Sequence, residues 1–177
     1  MFKKFIIFFF FIFSFFFFIS TAEASTLSLS PSTATIPQGS IVGVSVRLNT
    51  QGESINGVSA YLSYPSDKLE VSSITYGSSA FGIAAESSYG GGGIRISRGS
   101  INGVTGSSVS VATINFRGKS QGKATVSFVG GSGAPRTSNS SDSLNLSGST
   151  GGTYTITPPQ EIIVDKTKPV ISNILVS

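Results

Sequence analysis

The fold class is decided by Ile55-Asn56-Gly57-Val58-Ser59-Ala60-Tyr61-Leu62-Ser63-Tyr64, in which apolar side chains alternate with small or polar ones. The apolar set is Val58, Ala60, Leu62 and Tyr64. The opposite set is Gly57, Ser59, Tyr61 and Ser63. A period of two places alternate residues on opposite faces of a β-strand, so this pattern indicates a strand with one face in a core and one in water.

The same alternation recurs along the chain, whereas apolar residues at helical spacing are almost absent after residue 24. The further strands are predicted at 42–48, 94–97, 109–116 and 124–128. Shorter candidates contain Leu27 and Leu29, Leu144 and Leu146, and Tyr154 and Ile156. Many short half-buried strands predict an all-β protein, a two-sheet antiparallel β-sandwich.

Turn residues separate these strands. Asn56-Gly57 and Asn102-Gly103 are dipeptides that tolerate positive φ, and the glycine run Gly90 to Gly93 is a further turn signal. The phase of the alternation slips near Val111, which predicts a β-bulge. The predicted core consists of Val44, Val46, Val58, Leu62, Leu69, Ile114, Phe116, Val126 and Phe128.

The first residues predict export. Lys3 and Lys4 precede an apolar, Phe-rich run that extends to Ile19. Thr21-Ala22-Glu23-Ala24 then supplies an Ala-x-Ala site, so residues 1–24 have the layout of a signal peptide that is cleaved between Ala24 and Ser25. The run is shorter than the roughly 20 apolar residues that span a bilayer, although an uncleaved anchor is the alternative. Both interpretations place the rest of the chain outside a membrane, in a secreted or cell-surface protein.

The end of the chain predicts a change of domain. Residues 25–157 form one sandwich domain in this interpretation, and 158–169, with Pro158-Pro159 and a charged stretch before Pro169, form a linker. Residues 170–177 alternate again and suggest the beginning of a second, immunoglobulin-like β domain. Apart from the N-terminal segment, membrane attachment would need an anchor beyond residue 177.

Composition excludes several classes of function. The chain has neither Cys nor His, which excludes Ser-His-acid and Cys-His catalysis, imidazole or thiolate metal sites and disulfides. Its net charge of +4 is scattered, whereas a nucleic-acid-binding protein needs a clustered basic face.

The carboxylates do not form a motif that indicates an active site. We expect Glu70 to point away from the core, and Glu86 and Asp142 to be solvated in Ser-rich loops. A calcium site at Asp67 and Glu70, or at Asp142, is an alternative, but no Asp-x-Asp-x-Asp loop supports it. The run Gly90 to Gly93 is not a phosphate-binding loop, because no Gly-Lys-Ser/Thr follows it. The sequence therefore predicts no enzyme activity, no metal and no cofactor.

Sugar binding would require an aromatic platform on a sheet face. No Trp is present. Tyr61 is the best candidate because it lies on the outward phase of its strand, whereas Tyr76 and Tyr89 are expected in loops. Tyr64 falls on the inward phase and is expected in the core.

Two segments and the closing strand resemble the cohesin family. In the first, the strand before Tyr64-Pro65 is followed by Leu69-Glu70-Val71, similar to the cohesin order of Tyr-Asp-Pro and then a Leu-Glu-Val strand. The second contains Val111-Ala112-Thr113-Ile114-Asn115-Phe116-Arg117 and then Gly122 to Phe128. The closing segment Gly151 to Ile156 resembles the family's last strand. Together they cover residues 26–157.

The resemblance implies a nine-stranded jelly-roll sandwich, in a fold shared with some bacterial carbohydrate-binding modules. It also implies a non-catalytic module that binds dockerins through one sheet face, here the face that carries Gly57, Ser59, Tyr61 and Ser63. Familiar cohesins present Asn and Asp where Gly57 and Ser59 stand, and Tyr64-Pro65 departs from Tyr-Asp-Pro.

The sequence is therefore compatible with three functions. The first is a dockerin-type protein-binding module of an extracellular or cell-surface assembly. The second is a carbohydrate-binding module for polysaccharide, and the third is a structural spacer of a surface adhesin. An exposed tyrosine ladder would favour sugar, whereas a flat face around Ser59, Tyr61 and Ser63 favours a protein partner.

Overall fold

The computed structural model describes residues 24–159, and ten β-strands account for most of that range. The strands are β1 Thr26–Ser30, β2 Thr33–Pro37, β3 Ile41–Asn49, β4 Ile55–Ser63, β5 Leu69–Thr75, β6 Ile83–Gly90, β7 Gly93–Val104, β8 Val109–Gly118, β9 Gly122–Phe128 and β10 Gly152–Thr157. No helix in this part of the chain has the length and apolar character needed to cross a membrane.

The strands form two sheets that pack face to face, which confirms the predicted all-β jelly-roll sandwich. One sheet has the order β1-β3-β8-β5, and the other has the order β2-β10-β9-β4-β7-β6. All strand pairs are antiparallel except β2 and β10, which run parallel. The tenth strand arises because Pro31-Ser32 divides the first extended segment into β1 and β2, which join different sheets.

The predicted alternation matches β3, β4, β8 and β9 closely, and their inner faces carry the core. Twenty-five buried hydrophobic residues form one cluster, which includes eight of the nine predicted core residues. Phe128 was predicted in the core but is only half-buried, because it is the last residue of β9 at the sheet's end. Phe81 is fully buried although it lies in the loop between β5 and β6, where no alternation marks it.

Three strands did not follow from the alternation, and one predicted strand is absent. β2 contains a Pro, and the buried residues of β5 are interrupted by a register shift between Val71 and Ser73. β6 is an edge strand with almost no buried side chain, so it carries no apolar alternation. Leu144 takes part only in an isolated bridge to Ser25, and no strand forms at 144–146.

The two Asn-Gly dipeptides are not hairpin turns, contrary to the prediction. Asn56-Gly57 lies inside β4, where the register shifts between Ile55 and Gly57. Asn102-Gly103 lies in the bulged part of β7 that this shift leaves unpaired, and Gly103 has φ +70°. Each dipeptide supplies irregular backbone within a strand, which is the other common use of such residues.

The glycine run is a true hairpin turn between β6 and β7. Gly90 pairs with Gly93, and the two central residues have positive φ of 57° and 88°. Positive φ at both central positions defines a type I′ turn, whose twist matches that of the flanking strands. The predicted bulge near Val111 is also present, since Val46 pairs with Ala112 and Arg47 with Ser110.

A long loop, residues 129–151, closes one side of the sandwich. Its first part pairs with β4 through a bridge between Ser59 and Gly133. Its last part bonds to β1, where Thr150 N donates to Leu27 O at 2.8 Å. The loop thus links β1, at the edge of one sheet, to β4, an interior strand of the other sheet.

Burial of Tyr154 makes the free energy of unfolding of the domain depend on pH in the alkaline range. Its ring is buried, its O–H donates to Pro31 O at 2.9 Å, and desolvation raises the pKa of Tyr154 to about 12 from the ordinary 10. Between pH 10 and 12 the unfolded chain has lost this proton while the folded chain keeps it. We therefore expect this group to lower the free energy of unfolding as pH rises, by about 1.4 kcal/mol per pH unit.

The measurement is urea unfolding between pH 9 and 12 on the wild type and on Tyr154→Phe. Because Phe cannot ionise, the stability advantage of the wild type over the variant should fall to zero and then reverse sign as pH rises through this window. A difference that stays constant with pH would contradict the assignment. At neutral pH the variant should lose about 1 kcal/mol, since Pro31 O is left without its donor.

Candidate partner-binding face

The outer surface of β4, β7 and β6 brings the predicted site residues together, and we call it the β4–β7–β6 face. Cross-strand pairing places Ser59 opposite Ser97 and Tyr61 opposite Arg95. The outward residues of this face are Gly57, Ser59, Tyr61 and Ser63 from β4, Arg95, Ser97 and Gly99 from β7, and Ile83, Glu86 and Ser88 from β6.

Small residues make half of this face flat. Ser59 Oγ and Ser97 Oγ are hydrogen-bonded at 2.9 Å, and Gly57 pairs with Gly99 in the adjacent row. A Cβ placed on Gly99 would lie 3.6 Å from Ile83 Cβ, so Ile83 borders this floor. The result is a low platform of backbone and hydroxyl groups with an apolar edge.

Tyr61 stands above this platform in a fixed position. Its hydroxyl donates to Glu86 Oε2 at 2.7 Å, although Glu86 lies two strands away on β6. The guanidinium of Arg95 lies over the Tyr61 ring at 5.0 Å from its centroid, a cation–π contact. The expectation that Glu86 is solvated in a loop was therefore wrong: it is half-buried in β6 and holds Tyr61.

The loop 129–151 fixes Tyr61 from its other side. Tyr61 N donates to Ser132 Oγ at 3.0 Å, and Ser132 Oγ donates back to Tyr61 O at 3.2 Å. Gly131, at φ +94°, lies so close that a Cβ there would be 2.5 Å from Tyr61 Cδ2. Glu86, Arg95 and the close approach of Gly131 thus hold the Tyr61 ring, and Ser132 holds its backbone.

A shallow depression of about 410 Å³ opens beside Tyr61. Arg95, Ser88, Ser63 and Tyr89 line it, and Tyr89 is 49% exposed. Tyr89 was expected in a loop, but it is part of β6. At the opposite end of the face Ile83 is 49% exposed and Ile101, in the bulged part of β7, is 84% exposed.

The carboxylates between residues 24 and 159 lie apart from one another, and several of them contact neighbouring side chains or backbone. Glu70 is exposed on β5 opposite Arg117, and Glu53 forms a 3.3 Å ion pair with Arg136. Asp142, expected to be solvated, has an exposed side chain whose Oδ1 accepts hydrogen bonds from Ala134 N and Leu144 N. Between residues 24 and 159, no three acidic side chains come together in a group that could hold a metal ion.

The other half of the same sheet surface is different. Outward threonines from β2, β10 and β9 form adjacent rows, in which Thr35 pairs with Thr155 and Thr155 pairs with Lys123. This half has no aromatic side chain and no fixed ion pair in the described structure. It supplies matched control positions for tests on the β4–β7–β6 face.

Sequence reasoning found the outward row of β4 but missed the residues that organise it. The alternation of β7 placed Arg95 outward, which could have indicated its pairing with Tyr61. Glu86 carried no such signal, because β6 was not recognised as a strand. The binding role of Gly57, Ser59, Tyr61 and Ser63 stays a prediction.

Comparison with known proteins identifies the class. The sequence profile of the cohesin domain matches residues 26–157, and the chain therefore belongs to the cohesin family. No curated protein sequence matches the chain.

Solved cohesins share its fold at low sequence identity. A non-cellulosomal cohesin from the hyperthermophilic archaeon Archaeoglobus fulgidus is 22% identical with a TM-score of 0.63, and the match covers 76% of this chain and 91% of that one. The seventh ScaB type I cohesin of Pseudobacteroides cellulosolvens is 14% identical with a TM-score of 0.64, covering 79% and 96%. The third ScaB cohesin of R. flavefaciens, solved in complex with a group 1 dockerin, is 16% identical with a TM-score of 0.60, covering 80% and 99%.

Proposed function

We propose that this domain is a non-catalytic binding module that docks a dockerin-type protein through the β4–β7–β6 face. One observation carries the proposal: a fixed aromatic residue, Tyr61, stands over a flat floor of small residues and is held by Glu86 and Arg95. A preorganised aromatic beside a flat surface is the usual form of a protein-binding hot spot, since little entropy is lost when the partner binds.

Family membership supports the partner class, because the R. flavefaciens cohesin with this fold was solved with a dockerin. The face differs in chemistry from the familiar one. Gly57 and Ser59 stand where familiar cohesins present Asn and Asp, so the partner should rely less on side-chain hydrogen bonds there. Ile83 and Ile101 offer apolar contacts, and Arg95 offers a positive charge.

Replacing Tyr61 by Ala should weaken partner binding about 30-fold, the effect of losing about 2 kcal/mol at a hot spot. Tyr61→Phe should cost about fivefold, because it loses only the hydrogen bond to Glu86. The measurement is calorimetric titration with a panel of dockerin modules, using residues 25–157. Thr155→Ala, on the threonine half of the same sheet, is the matched control and should bind like the wild type.

Equal loss of affinity in Thr155→Ala and Tyr61→Ala would contradict the proposed face. If no dockerin binds but an extracellular protein is captured in a Tyr61-dependent manner, the face stands and the partner class changes. Silence in all binding assays would favour a structural spacer of a surface adhesin.

Carbohydrate binding is the second candidate, supported by the depression that Tyr61 and Tyr89 line. The position of Arg95 weighs against it, because the guanidinium already occupies one face of the Tyr61 ring and Gly131 approaches its edge. A sugar would have to stack on what remains of Tyr61 or on Tyr89. Binding on a glycan array that is lost in Tyr89→Ala would overturn the order of the two candidates.

The same proposal includes export. Cleavage between Ala24 and Ser25 would release the chain at the point where the fold begins, since Ser25 N donates to Ser143 O at 2.9 Å and Ser25 Oγ bonds to Ser143 Oγ at 2.8 Å. We also propose that the linker 158–169 leads to a second β domain starting at 170–177, in a secreted or cell-surface protein. Residues 160–177, which include most of the linker and all of the proposed second domain, and the leader up to residue 23 lie outside the described residues.

A further inference from the structure

The loop 129–151 contains the chain's two Asn-x-Ser tripeptides, Asn139-Ser140-Ser141 and Asn145-Leu146-Ser147. None of the chain's other asparagines has Ser or Thr two residues later; these are Asn49, Asn56, Asn102, Asn115 and Asn173. Asn-x-Ser is the tripeptide that N-linked glycosylation recognises in exported chains, and surface loops are where it is used. Both copies therefore fall in a place suited to modification.

Asn139 lies at the tip of a short turn. Arg136 N donates to Ser141 O at 2.9 Å and Ser140 N donates to Arg136 O at 3.0 Å, which closes the turn beneath it. Asn139, Ser140 and Ser141 are all exposed. No backbone hydrogen bond to a sheet strand fixes these three residues within the range that the structure describes.

The Asn139 side chain presents its amide nitrogen to solvent. Its Oδ1 accepts hydrogen bonds from Ser141 N at 3.0 Å and from Ser141 Oγ at 2.8 Å. Its Nδ2 donates to no other group of residues 24–159. The amide and the hydroxyl that define the tripeptide thus lie side by side, with the nitrogen free.

Asn145 has the same local arrangement on a more constrained backbone. Ser147 Oγ donates to Asn145 Oδ1 at 2.8 Å, and Gly148 N donates to it at 3.0 Å. The side chain is exposed, but Asn145 N donates to Ser25 O at 2.8 Å, which ties this residue to the start of the domain. An enzyme that must bend the tripeptide meets less resistance at Asn139.

We infer that Asn139 and Asn145 are acceptor sites for N-linked glycans, with Asn139 the more fully modified. The co-substrate is a lipid-linked oligosaccharide diphosphate. Asn Nδ2 forms a bond to C1 of the terminal sugar, the bond between C1 and the diphosphate oxygen breaks, and Nδ2 loses one proton to a base of the transferase. The lipid diphosphate is the leaving group, and no oxidant or reductant is needed.

This inference goes beyond partner binding and rests on the proposed export. Neither asparagine belongs to the β4–β7–β6 face, so glycans at these positions replace none of its contacts. Both lie in the loop that links the two sheets, and Asn145 lies beside the start of β1.

The test uses the full 177-residue chain, produced in secretory cells that contain an oligosaccharyltransferase. The secreted protein is treated with a peptide N-glycosidase, which converts each glycosylated Asn to Asp, and is then read by peptide mass spectrometry. We expect conversion at Asn139 and Asn145, with higher occupancy at Asn139. Asn139→Gln and Ser141→Ala should each remove one glycan, whereas Ser140→Gly and Ser147→Thr keep both tripeptides and should remain doubly modified.

The N-terminal sequence of the same sample separates the two proposals. A chain that begins at Ser25 with unmodified Asn139 overturns the glycan inference and leaves export standing. A chain that is retained inside the cells with Met1 in place overturns both. Conversion at any asparagine outside the two tripeptides would overturn the assignment of the sites.

Discussion

Phe116→Ala should reduce the free energy of unfolding by roughly 3–5 kcal/mol, the usual cost of removing a buried Phe side chain. The Phe116 ring is fully buried on the inner face of β8. It contacts Tyr64 edge-on at 5.8 Å between ring centroids, and it lies 6.1 Å from Tyr154. The cavity would therefore open between the two sheets, where the flanking rings cannot collapse into it.

Urea unfolding of residues 25–157 measures this loss. Ile83→Ala is the control, because Ile83 is half exposed at the sheet edge and should change stability by only about 0.5 kcal/mol. A loss below about 1 kcal/mol in Phe116→Ala would contradict the placement of this ring in the core.

Gly151→Ala should cost roughly 3 kcal/mol for a different reason, overpacking rather than a cavity. A Cβ on Gly151 would lie 2.1 Å from Val126 O and 3.2 Å from Ser127 Cα. Both contacts are with the backbone of β9, which cannot move aside without breaking its pairing with β10. The entry into β10 therefore requires glycine.

Gly130→Ala provides the matched control, since a Cβ there meets no atom within 4 Å and its φ is not positive. It should leave stability within about 0.5 kcal/mol. Both variants can be followed by thermal unfolding together. If Gly130→Ala were as damaging as Gly151→Ala, the close approach of Gly151 to β9 would not be the cause.

The sequence predicted the fold where burial is one-sided. β3, β4 and β8 each have one face in the core, and that alone produces a period of two. The strand β6 was not predicted because it is an edge strand with both faces largely exposed, so nothing selects apolar residues at alternate positions. The burial of Phe81 was not predicted because a single buried side chain in a loop produces no periodic pattern.

The candidate site likewise contains residues that the sequence predicted and residues that it did not. Tyr61 could be predicted from the sequence because the alternation within its own strand shows that its side chain points outward. Glu86 was not, since its contact with Tyr61 spans β7 and depends on the register of three strands. Local pattern reports which way a side chain points, but only the assembled sheet shows which side chains reach each other.

The parallel pairing of β2 with β10 sets how the domain would carry mechanical load. Tension between its two ends reaches β2 from its N-terminal side once β1 has been pulled from β3, and it reaches β10 from its C-terminal side. Strands that run parallel are then sheared lengthwise, so the five residue pairs from Thr33–Thr153 to Pro37–Thr157 must yield together and cannot be peeled apart one at a time. Once β2 and β10 carry the load, this pairing resists lengthwise separation of the two strands.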